Sequence, residues 1–293
     1  MNAKRAGFTL IELLIAMLIG AVVLSSAMAF TISTFQNVEG NRTREQLDRN
    51  ARFVGMSLER DMQEAGVMIQ STSTFGTVAS WQDTLVILHV PYLPQPAQAY
   101  KYQATCGGQC VTVDTGSAMA NFEIQAGDVV RLQRTSEPRL LLVSDVSPGA
   151  GNFNITFSNA PTILRMNSGI TGLVLDPVYY VQKLQPVIYY MDSTRLMRAE
   201  QLNPDGTPDG EVLIDNVQSF QVMLLFADGS TAAEASGTDA ITTNDFNQVV
   251  GVRVTATLAA DRVDRSVNGG TLLTRQYDWQ FSPRNLMYNR NNN

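Results

Sequence analysis

One acidic residue, Glu12, lies inside a long apolar run. The run extends from Phe8 to Phe30 and contains no other charged residue. At about 1.5 Å per residue, a helix of this length reaches about 35 Å, enough to cross the hydrocarbon core of a membrane. A carboxylate within a membrane costs a few kcal/mol and usually has a partner. Because this helix offers none, we expect the partner of Glu12 to come from another chain.

The two cysteines of the chain, Cys106 and Cys110, are separated by three residues. Outside the cytoplasm a disulfide is the default state of such a pair, and we predict one here, closing a short loop. Free thiols are the alternative, and the same spacing also occurs in metal sites. Two cysteines and one histidine exclude zinc sites of four cysteines, or of two cysteines and two histidines, within one chain. Clusters held by four cysteines are excluded as well.

His89 is the only histidine, so a Ser-His-Asp triad would have to use it. It lies in the apolar segment Leu85–Val90, which predicts a strand, and no GxSxG, Walker or GxGxxG motif is present. We therefore predict a structural role for His89. We expect no catalytic residue, no cofactor and no enzymatic activity.

Acidic side chains cluster in the segment Asn203–Glu211. Asp205, Asp209 and Glu211 could bind calcium through their oxygens. Their spacing does not match an EF-hand loop, and the prolines and glycines between them favour a turn. A turn is the preferred interpretation and calcium binding the alternative, so no metal site is predicted.

The composition argues against a disordered chain and against a nucleic-acid-binding protein. Of the 293 residues, 44% are hydrophobic and 16% are charged, which argues against a disordered chain. There are 21 basic and 27 acidic residues, giving a net charge of −6. Because phosphate binding needs clustered positive charge, no nucleic-acid partner is expected.

Two basic residues, Lys4 and Arg5, precede the apolar run. By the positive-inside rule they stay in the cytoplasm, which places everything after Phe30 outside. A cleaved secretory signal is disfavoured, because its apolar core would be only about 7–15 residues long. A plain single-span anchor leaves Glu12 unexplained. We expect a single-pass protein of the inner (cytoplasmic) membrane with an extracytoplasmic C-terminal domain.

The segment Lys4–Leu14, KRAGFTLIELL, resembles the class III leader of type IV pilins and pseudopilins. The resemblance implies that a prepilin peptidase cuts between Gly7 and Phe8 and then N-methylates Phe8. It also implies that Glu12 pairs with the Phe8 ammonium of a neighbouring subunit during assembly. The implied partners are other pilin subunits and minor pilins, the prepilin peptidase and the inner membrane.

Four later segments resemble the minor pilins of the assembly protein W family. They are the YYV…VIYYMD…RLMR stretch, VQSFQVMLLFADG, VVGVRVTATL and the closing RNL near Arg284. The implied function is that of a minor pilin that contributes to assembly of the pilus, or fimbrium. A minor pseudopilin of type II secretion is the alternative within this class. A membrane-tethered enzyme or binding module, using only the anchor, is the alternative from another class.

The N-terminal helix is predicted to continue beyond the membrane. Apolar residues recur at helical spacing and form a stripe: Leu47, Ala51, Val54, Leu58, Met62 and Ala65. The other faces are rich in charge, Asp61 included, and we interpret them as solvated. Gly66 is predicted to cap the helix, and Gly40–Asn41 to bend or break it.

From Val67 onward, short apolar runs alternate with turn signals, which predicts strands. The predicted strands are Thr84–Val90, Asp128–Arg134, Arg139–Val146, Asn154–Phe157, Val178–Gln182, Val187–Met191, Arg195–Ala199, Val217–Phe226, Val249–Leu258 and Leu272–Phe281. Hairpin turns at Gln185–Pro186 and Asp192–Thr194 would join three of these strands in a meander. A long helix followed by antiparallel strands gives an α+β fold, in which the helix packs on a sheet-rich domain.

The predicted organisation has four parts. Residues 1–7 are a leader, 8–30 a membrane and filament-core helix, 31–66 its amphipathic extension, and 67–293 a β-rich extracytoplasmic domain. The sequence leaves open whether that domain holds one sheet or two.

Overall fold

The computed structural model describes residues 9–92, 98–105, 110–114, 122–133, 138–149, 151–158, 164, 166, 179–263 and 270–286. The predicted α+β class is confirmed, because a long N-terminal helix is followed by a β-rich domain of antiparallel sheets. The chain divides into two compact units. The first is Met1–Arg49 with Ala260–Thr274, and the second is Asn50–Ala259 with Arg275–Asn293.

The helix α1 runs without a break from Leu10 to Glu64. The break predicted as one possibility at Gly40–Asn41 is not found, because one glycine costs a helix only about 1 kcal/mol and the long flanking segments outweigh it. Gly66 has a φ of +75° and caps the helix as predicted. The Asn285 side chain donates hydrogen bonds to the carbonyl oxygens of Gln63 (3.3 Å) and Ala65 (3.2 Å). The closing RNL segment therefore satisfies carbonyls that the helix end leaves open.

The predicted apolar stripe of α1 is confirmed, since each of its six residues is at most 3% exposed. The interpretation of the charged faces as solvated is wrong at Asp61, which is only 2% exposed. Asp61 follows Leu58 by three residues and precedes Ala65 by four. This spacing places it on the buried side of the helix.

In the first unit, the helix residues from Leu10 to Glu39 are exposed to the surroundings. Closer to the end of this unit, the side chain of Gln46 donates a hydrogen bond to Asp261. The amide of Ala260 donates to the carbonyl of Leu273 at 2.8 Å. The apolar part of α1 thus has no buried side in the isolated chain.

Fourteen strands are found in the described residues. They are β1 (Val78–Trp81), β2 (Thr84–His89), β3 (Ala99–Thr105), β4 (Cys110–Asp114), β5 (Val129–Gln133), β6 (Arg139–Pro148), β7 (Asn152–Ser158), β8 (Tyr179–Asp192), β9 (Arg195–Leu202), β10 (Pro208–Ile214), β11 (Val217–Phe226), β12 (Thr231–Ala232), β13 (Val249–Ala259) and β14 (Thr274–Phe281). Two short 3₁₀ turns, Thr242–Asn244 and Phe246–Gln248, precede β13. The fourteen strands form two antiparallel sheets, so the β-rich domain holds two sheets and not one.

Six strands of the first sheet close into a barrel. They pair in the order β8-β3-β4-β7-β6-β5, and β5 pairs again with β8. The interior is filled by buried apolar side chains that include Val111, Ile155 and Val181. A closed barrel leaves no unpaired strand edge, so this part of the sheet needs no covering element.

The strand β8 serves both the barrel and an open five-stranded region with the order β1-β2-β8-β9-β10. The hairpin turn predicted at Gln185–Pro186 is wrong, because β8 runs straight through both residues. Pro186 lies opposite Leu88 of β2. It falls where β8 exchanges its barrel neighbours β3 and β5 for β2 and β9, so a proline is tolerated at this point. The turn predicted at Asp192–Thr194 is confirmed, with Ser193 at a φ of +57°.

The second sheet has the order β12-β11-β13-β14. Its last strand approaches α1 closely at Gly55. A Cβ atom at Gly55 would lie 2.5 Å from the indole nitrogen of Trp279, well inside contact distance. The absence of a side chain at Gly55 therefore lets the Trp279 ring lie against the helix backbone.

Candidate functional site

The start of α1 carries the candidate processing and assembly residues. The described chain begins at Thr9, so Gly7 and Phe8 lie outside the described residues. Cleavage after Gly7 and methylation of Phe8 therefore stay predictions. Glu12 is described, and it lies in the first turn of the helix.

Glu12 has a partner within its own helix. The backbone N–H and the hydroxyl of Thr9 each donate a hydrogen bond to Glu12 Oε2, both at 3.0 Å. The Glu12 N–H donates in return to Thr9 Oγ1 at 3.3 Å. This arrangement is a capping box, in which the residue before the helix and the third helical residue satisfy each other. The expectation that the helix offers Glu12 no partner is therefore wrong.

The capping box does not remove the need for a cation. Thr9 supplies neutral donors, so the carboxylate keeps its negative charge and stays exposed. The first N–H groups of a helix carry a partial positive charge, which stabilises an acid at this position. The geometry holds Glu12 at the very end of the helix, where the ammonium of a chain beginning at residue 8 could approach.

The α1 helix is the candidate membrane segment. Among the described residues it is the one helix that is long and apolar enough to cross a membrane, and none of its most apolar stretch is buried. Four hydroxyl groups in this part of the helix are satisfied internally. Each donates to the carbonyl four residues earlier, namely Ser25 to Ala21, Ser26 to Val22, Thr31 to Ala27 and Thr34 to Phe30. These bonds lower the cost of placing the four hydroxyls in an apolar surrounding.

In the second unit, a buried charged network ties α1 to the first sheet. The Arg198 guanidinium binds the Asp61 carboxylate with two nitrogens, at 2.6 Å to Oδ2 and 3.0 Å to Oδ1. The Tyr189 hydroxyl donates to Asp61 Oδ2 at 2.5 Å and lies 2.8 Å from the Ser57 hydroxyl. The third nitrogen of the Arg198 guanidinium donates a hydrogen bond to Glu200 at 2.6 Å. The buried carboxylate is therefore both neutralised and fully hydrogen-bonded.

The network shifts the acidity of its members. Burial raises the pKa of the Tyr189 phenol, and the neighbouring Asp61 charge raises it further. Burial opposes the charge on Arg198, but the hydrogen bonds to Asp61 and Glu200 outweigh it and raise the pKa of the guanidinium. Tyr189 thus stays a neutral donor and Arg198 a permanent cation. The network is structural, since its groups bind one another and Asp61 and Tyr189 are closed to solvent.

His89 lies at the end of β2, with its Nε2 atom 3.3 Å from Glu64 of α1. Burial lowers its pKa, although the nearby carboxylates of Glu64, Asp61 and Glu200 act in the opposite direction. Among the residues that the structure describes, no serine hydroxyl forms a hydrogen bond with His89. Its position between helix and sheet fits the structural role predicted for it.

Of the three acidic residues considered as an alternative calcium site, Asp205 lies in a turn, whereas Asp209 and Glu211 lie on β10. The Asp205 carboxylate accepts hydrogen bonds from the backbone N–H and hydroxyl of Thr207, at 2.9 and 2.6 Å. Asp209 accepts from Gln201 at 2.8 Å. In the part of the chain that the structure describes, no group of three acidic, histidine or cysteine side chains could hold a metal ion. The turn interpretation explains these contacts without calcium.

Cys110 opens β4, where it is buried and its sulfur lies 3.1 Å from the Thr105 hydroxyl. Cys110 is not a free thiol in the structure. Its predicted partner Cys106 lies outside the described residues, so the pairing of the two stays a prediction.

Thiol labelling of the full-length protein under denaturing, non-reducing conditions should find neither Cys106 nor Cys110 free. Full labelling of both would contradict the predicted disulfide. Replacing both by serine should lower stability only modestly, because a short closed loop removes little entropy from the unfolded chain. The reduced protein serves as the positive control for labelling.

A family profile described as the prokaryotic N-terminal methylation motif matches residues 2–28. The matched stretch contains Gly7, Phe8 and Glu12. A search of curated proteins found no match. The motif implies processing by a prepilin peptidase and assembly with other pilins, and the apolar helix that overlaps it fits a single-pass membrane anchor. The N-terminal motif, the exposed apolar helix and the β-rich domain together support a type IV pilin-like protein.

Proposed function

We propose that the chain is a minor pilin of a type IV pilus, which contributes to pilus assembly through helix–helix packing. The observation that carries the proposal is the apolar part of α1, which overlaps the methylation motif and none of which is buried in the isolated chain. Such a surface is stable in lipid, or among the helices of other subunits. The leader stays in the cytoplasm and the β-rich domain lies outside the inner membrane.

The size of the β-rich domain supports the proposal that the protein is a minor subunit of the filament. The second unit spans most of the 293 residues, and a large domain is harder to tile densely along a shaft. The resemblance of four segments to assembly protein W minor pilins points the same way, and one of those segments supplies Arg198 and another Asn285. The protein is then a structural subunit rather than an enzyme.

A minor pseudopilin of type II secretion is the second candidate, because it carries the same leader. The two are distinguished by deleting the gene and measuring surface pili and secretion separately. If the protein is a minor pilin, its deletion should reduce the number of surface pili and leave type II secretion intact. Detection of the protein in sheared pili would support the proposal, whereas a secretion defect with normal pili would favour the pseudopilin.

Cleavage after Gly7 is expected in cells that contain a prepilin peptidase. The leader is short and basic and ends in glycine directly before the apolar run. Intact-mass analysis of the membrane protein should show a chain that starts at N-methylated Phe8. Without the peptidase, the same analysis should show the leader retained. An N-terminus near Ala27 would contradict the prediction and indicate a secretory signal.

A further inference from the structure

Two chain segments between β13 and β14 belong to the same compact unit as the apolar part of α1. They are the first arm, residues 260–263, and the second arm, residues 270–274. A backbone hydrogen bond of 2.8 Å joins one arm to the other. On the helix, the side chain of Gln46 donates a hydrogen bond to Asp261 of the first arm. The arms are therefore anchored to the helix that carries the candidate membrane segment.

This anchor lies close to the point where α1 leaves the membrane. Exposed large apolar side chains continue along the helix to Phe35 and Val38, and Glu39 is the first charged residue after Glu12. Among the described residues, Gly40 is the first buried residue of the helix. The uncharged stretch between the two acids is about 39 Å long, close to the 40–45 Å or so of a bilayer with its headgroups. The folded part of the first unit therefore begins at the outer headgroup layer.

The arms display apolar side chains that the folded unit leaves uncovered. Val263 of the first arm is 50% exposed, and Leu272 of the second arm is 38% exposed. Arg262, next to Val263, is exposed as well. Apolar side chains beside an arginine suit the boundary between acyl chains and headgroups, because the apolar groups enter this layer and the guanidinium binds phosphate.

The charges of this region do not favour anionic lipids over neutral ones. Beyond Val38, the described residues of the first unit include four basic and four acidic side chains. They are Arg42, Arg44, Arg49 and Arg262, and Glu39, Glu45, Asp48 and Asp261. A balanced surface gains little from the negative potential of anionic lipids. The apolar side chains therefore carry the contact, and neutral phospholipid is a sufficient partner.

We propose that the two arms rest on the outer surface of the membrane, with Val263 and Leu272 in the headgroup layer of the phospholipids. The contact goes beyond the proposed function, although it rests on the membrane anchor that this function uses. It fixes the height of the first unit above the bilayer before the subunit enters a filament. Because a filament lies outside the membrane, the contact breaks when the subunit is assembled.

The test uses the full-length chain in phosphatidylcholine vesicles at high dilution. A nitrobenzoxadiazole dye is attached to a single cysteine of each arm, Val263→Cys or Leu272→Cys. Every variant also carries Cys106→Ser and Cys110→Ser, so that no native thiol is labelled. Part of the lipid carries a spin label on its headgroup, which quenches dyes that lie in the headgroup layer. Quenching is measured against vesicles without the spin label.

Two exposed positions on α1 calibrate the quenching. Phe35→Cys, five residues before Gly40, should be strongly quenched, and Phe53→Cys, about 20 Å beyond Gly40, should be nearly unquenched. Both arm labels should be quenched at least fivefold more than the label at residue 53. Quenching of the arm labels at the level of residue 53 would overturn the proposed contact. Emission typical of an apolar surrounding without quenching would overturn it as well, because protein and not lipid would then cover the arms.

A second comparison tests the apolar side chains themselves. Val263→Asp should lower the quenching of a label at Leu272→Cys at least threefold, because a carboxylate is repelled from the acyl boundary. Val212→Asp is the matched control, since Val212 is also an exposed valine and lines a groove beside Phe53. It should leave the quenching unchanged, and an equal effect of the two replacements would contradict the proposal.

Failure of the proposed function has a different signature. The protein would then be missing from sheared pili, although the arm labels are quenched in vesicles. Conversely, unquenched arms in a protein that is found in sheared pili would overturn the membrane contact alone.

Discussion

Replacing Asp61 by leucine is expected to lower the free energy of unfolding by about 3–5 kcal/mol, because it leaves the Arg198 guanidinium without its buried carboxylate. Asp61 is 2% exposed and binds Arg198 and Tyr189 together. Chemical denaturation of the detergent-solubilised full chain, followed by tryptophan fluorescence, measures the change. Trp279 lies against α1 at Gly55, so its emission reports separation of helix and sheet.

Arg60→Ala is the matched control for this measurement. Arg60 also binds the Asp61 carboxylate, at 3.1 Å, but its side chain is 64% exposed. Exposed ion pairs contribute about 0–1 kcal/mol, so this variant should unfold almost like the original protein. Tyr189→Phe removes one buried hydroxyl and should fall between the two, at about 1–3 kcal/mol. Equal stability of Asp61→Leu and Arg60→Ala would contradict a structural role for the network.

The sequence predicts α1 well because helical periodicity is a local signal. The stripe from Leu47 to Ala65 and the cap at Gly66 depend on neighbouring residues alone, and both are confirmed. The burial of Asp61 has a local signal too, in its spacing from Leu58 and Ala65. Its partner Arg198 has none, since the two residues are brought together only when β9 packs on the helix.

The closure of the barrel depends on strand pairings that have no local signal in the sequence. Strands such as β6 and β11 are predicted nearly to their bounds, because apolar runs and turn residues mark them. The pairing of β5 with β8 that closes the barrel joins Arg131 to Gln182, far apart in sequence, and no local pattern encodes it. The hairpin turn predicted at Pro186 is wrong for the same reason. A proline favours a turn locally, but the exchange of neighbours along β8 accommodates it.

The capping box at the start of α1 was open to prediction. Thr9 and Glu12 have the threonine-x-x-glutamate spacing of this motif, directly before an apolar run. The isolation of Glu12 in an apolar run predicted a partner from another chain, and the family resemblance implied the same pairing. The structure adds that Thr9 holds the same carboxylate within the subunit. Glu12 thus has an observed place in the capping box and a predicted role in assembly, and separate substitutions distinguish the two.

Replacing Glu12 by valine is expected to leave the β-rich domain folded and the leader cleaved, and to reduce incorporation into filaments by at least tenfold. The residue is exposed at the helix start, so the second unit does not depend on it. Removing a charge favours insertion of the helix into lipid. Incorporation should fall because the carboxylate has a cost in lipid that the Phe8 ammonium of a neighbouring subunit relieves. Immunoblots of membrane and sheared-filament fractions measure the ratio of the two pools.

Thr9→Val and Glu12→Asp separate the charge pair from the capping box. Thr9→Val removes the hydroxyl that binds Glu12 but keeps the carboxylate, and a helix cap is worth only about 1 kcal/mol. If the charge pair drives assembly, Thr9→Val should enter filaments nearly as well as the original chain. Glu12→Asp, one methylene shorter, should be intermediate because the carboxylate reaches a neighbour less well. If Thr9→Val instead fails as completely as Glu12→Val, the capping box is what assembly requires. Incorporation of Glu12→Val at the original level would show that this subunit joins the filament without a charge pair, as a subunit with no neighbour above it would.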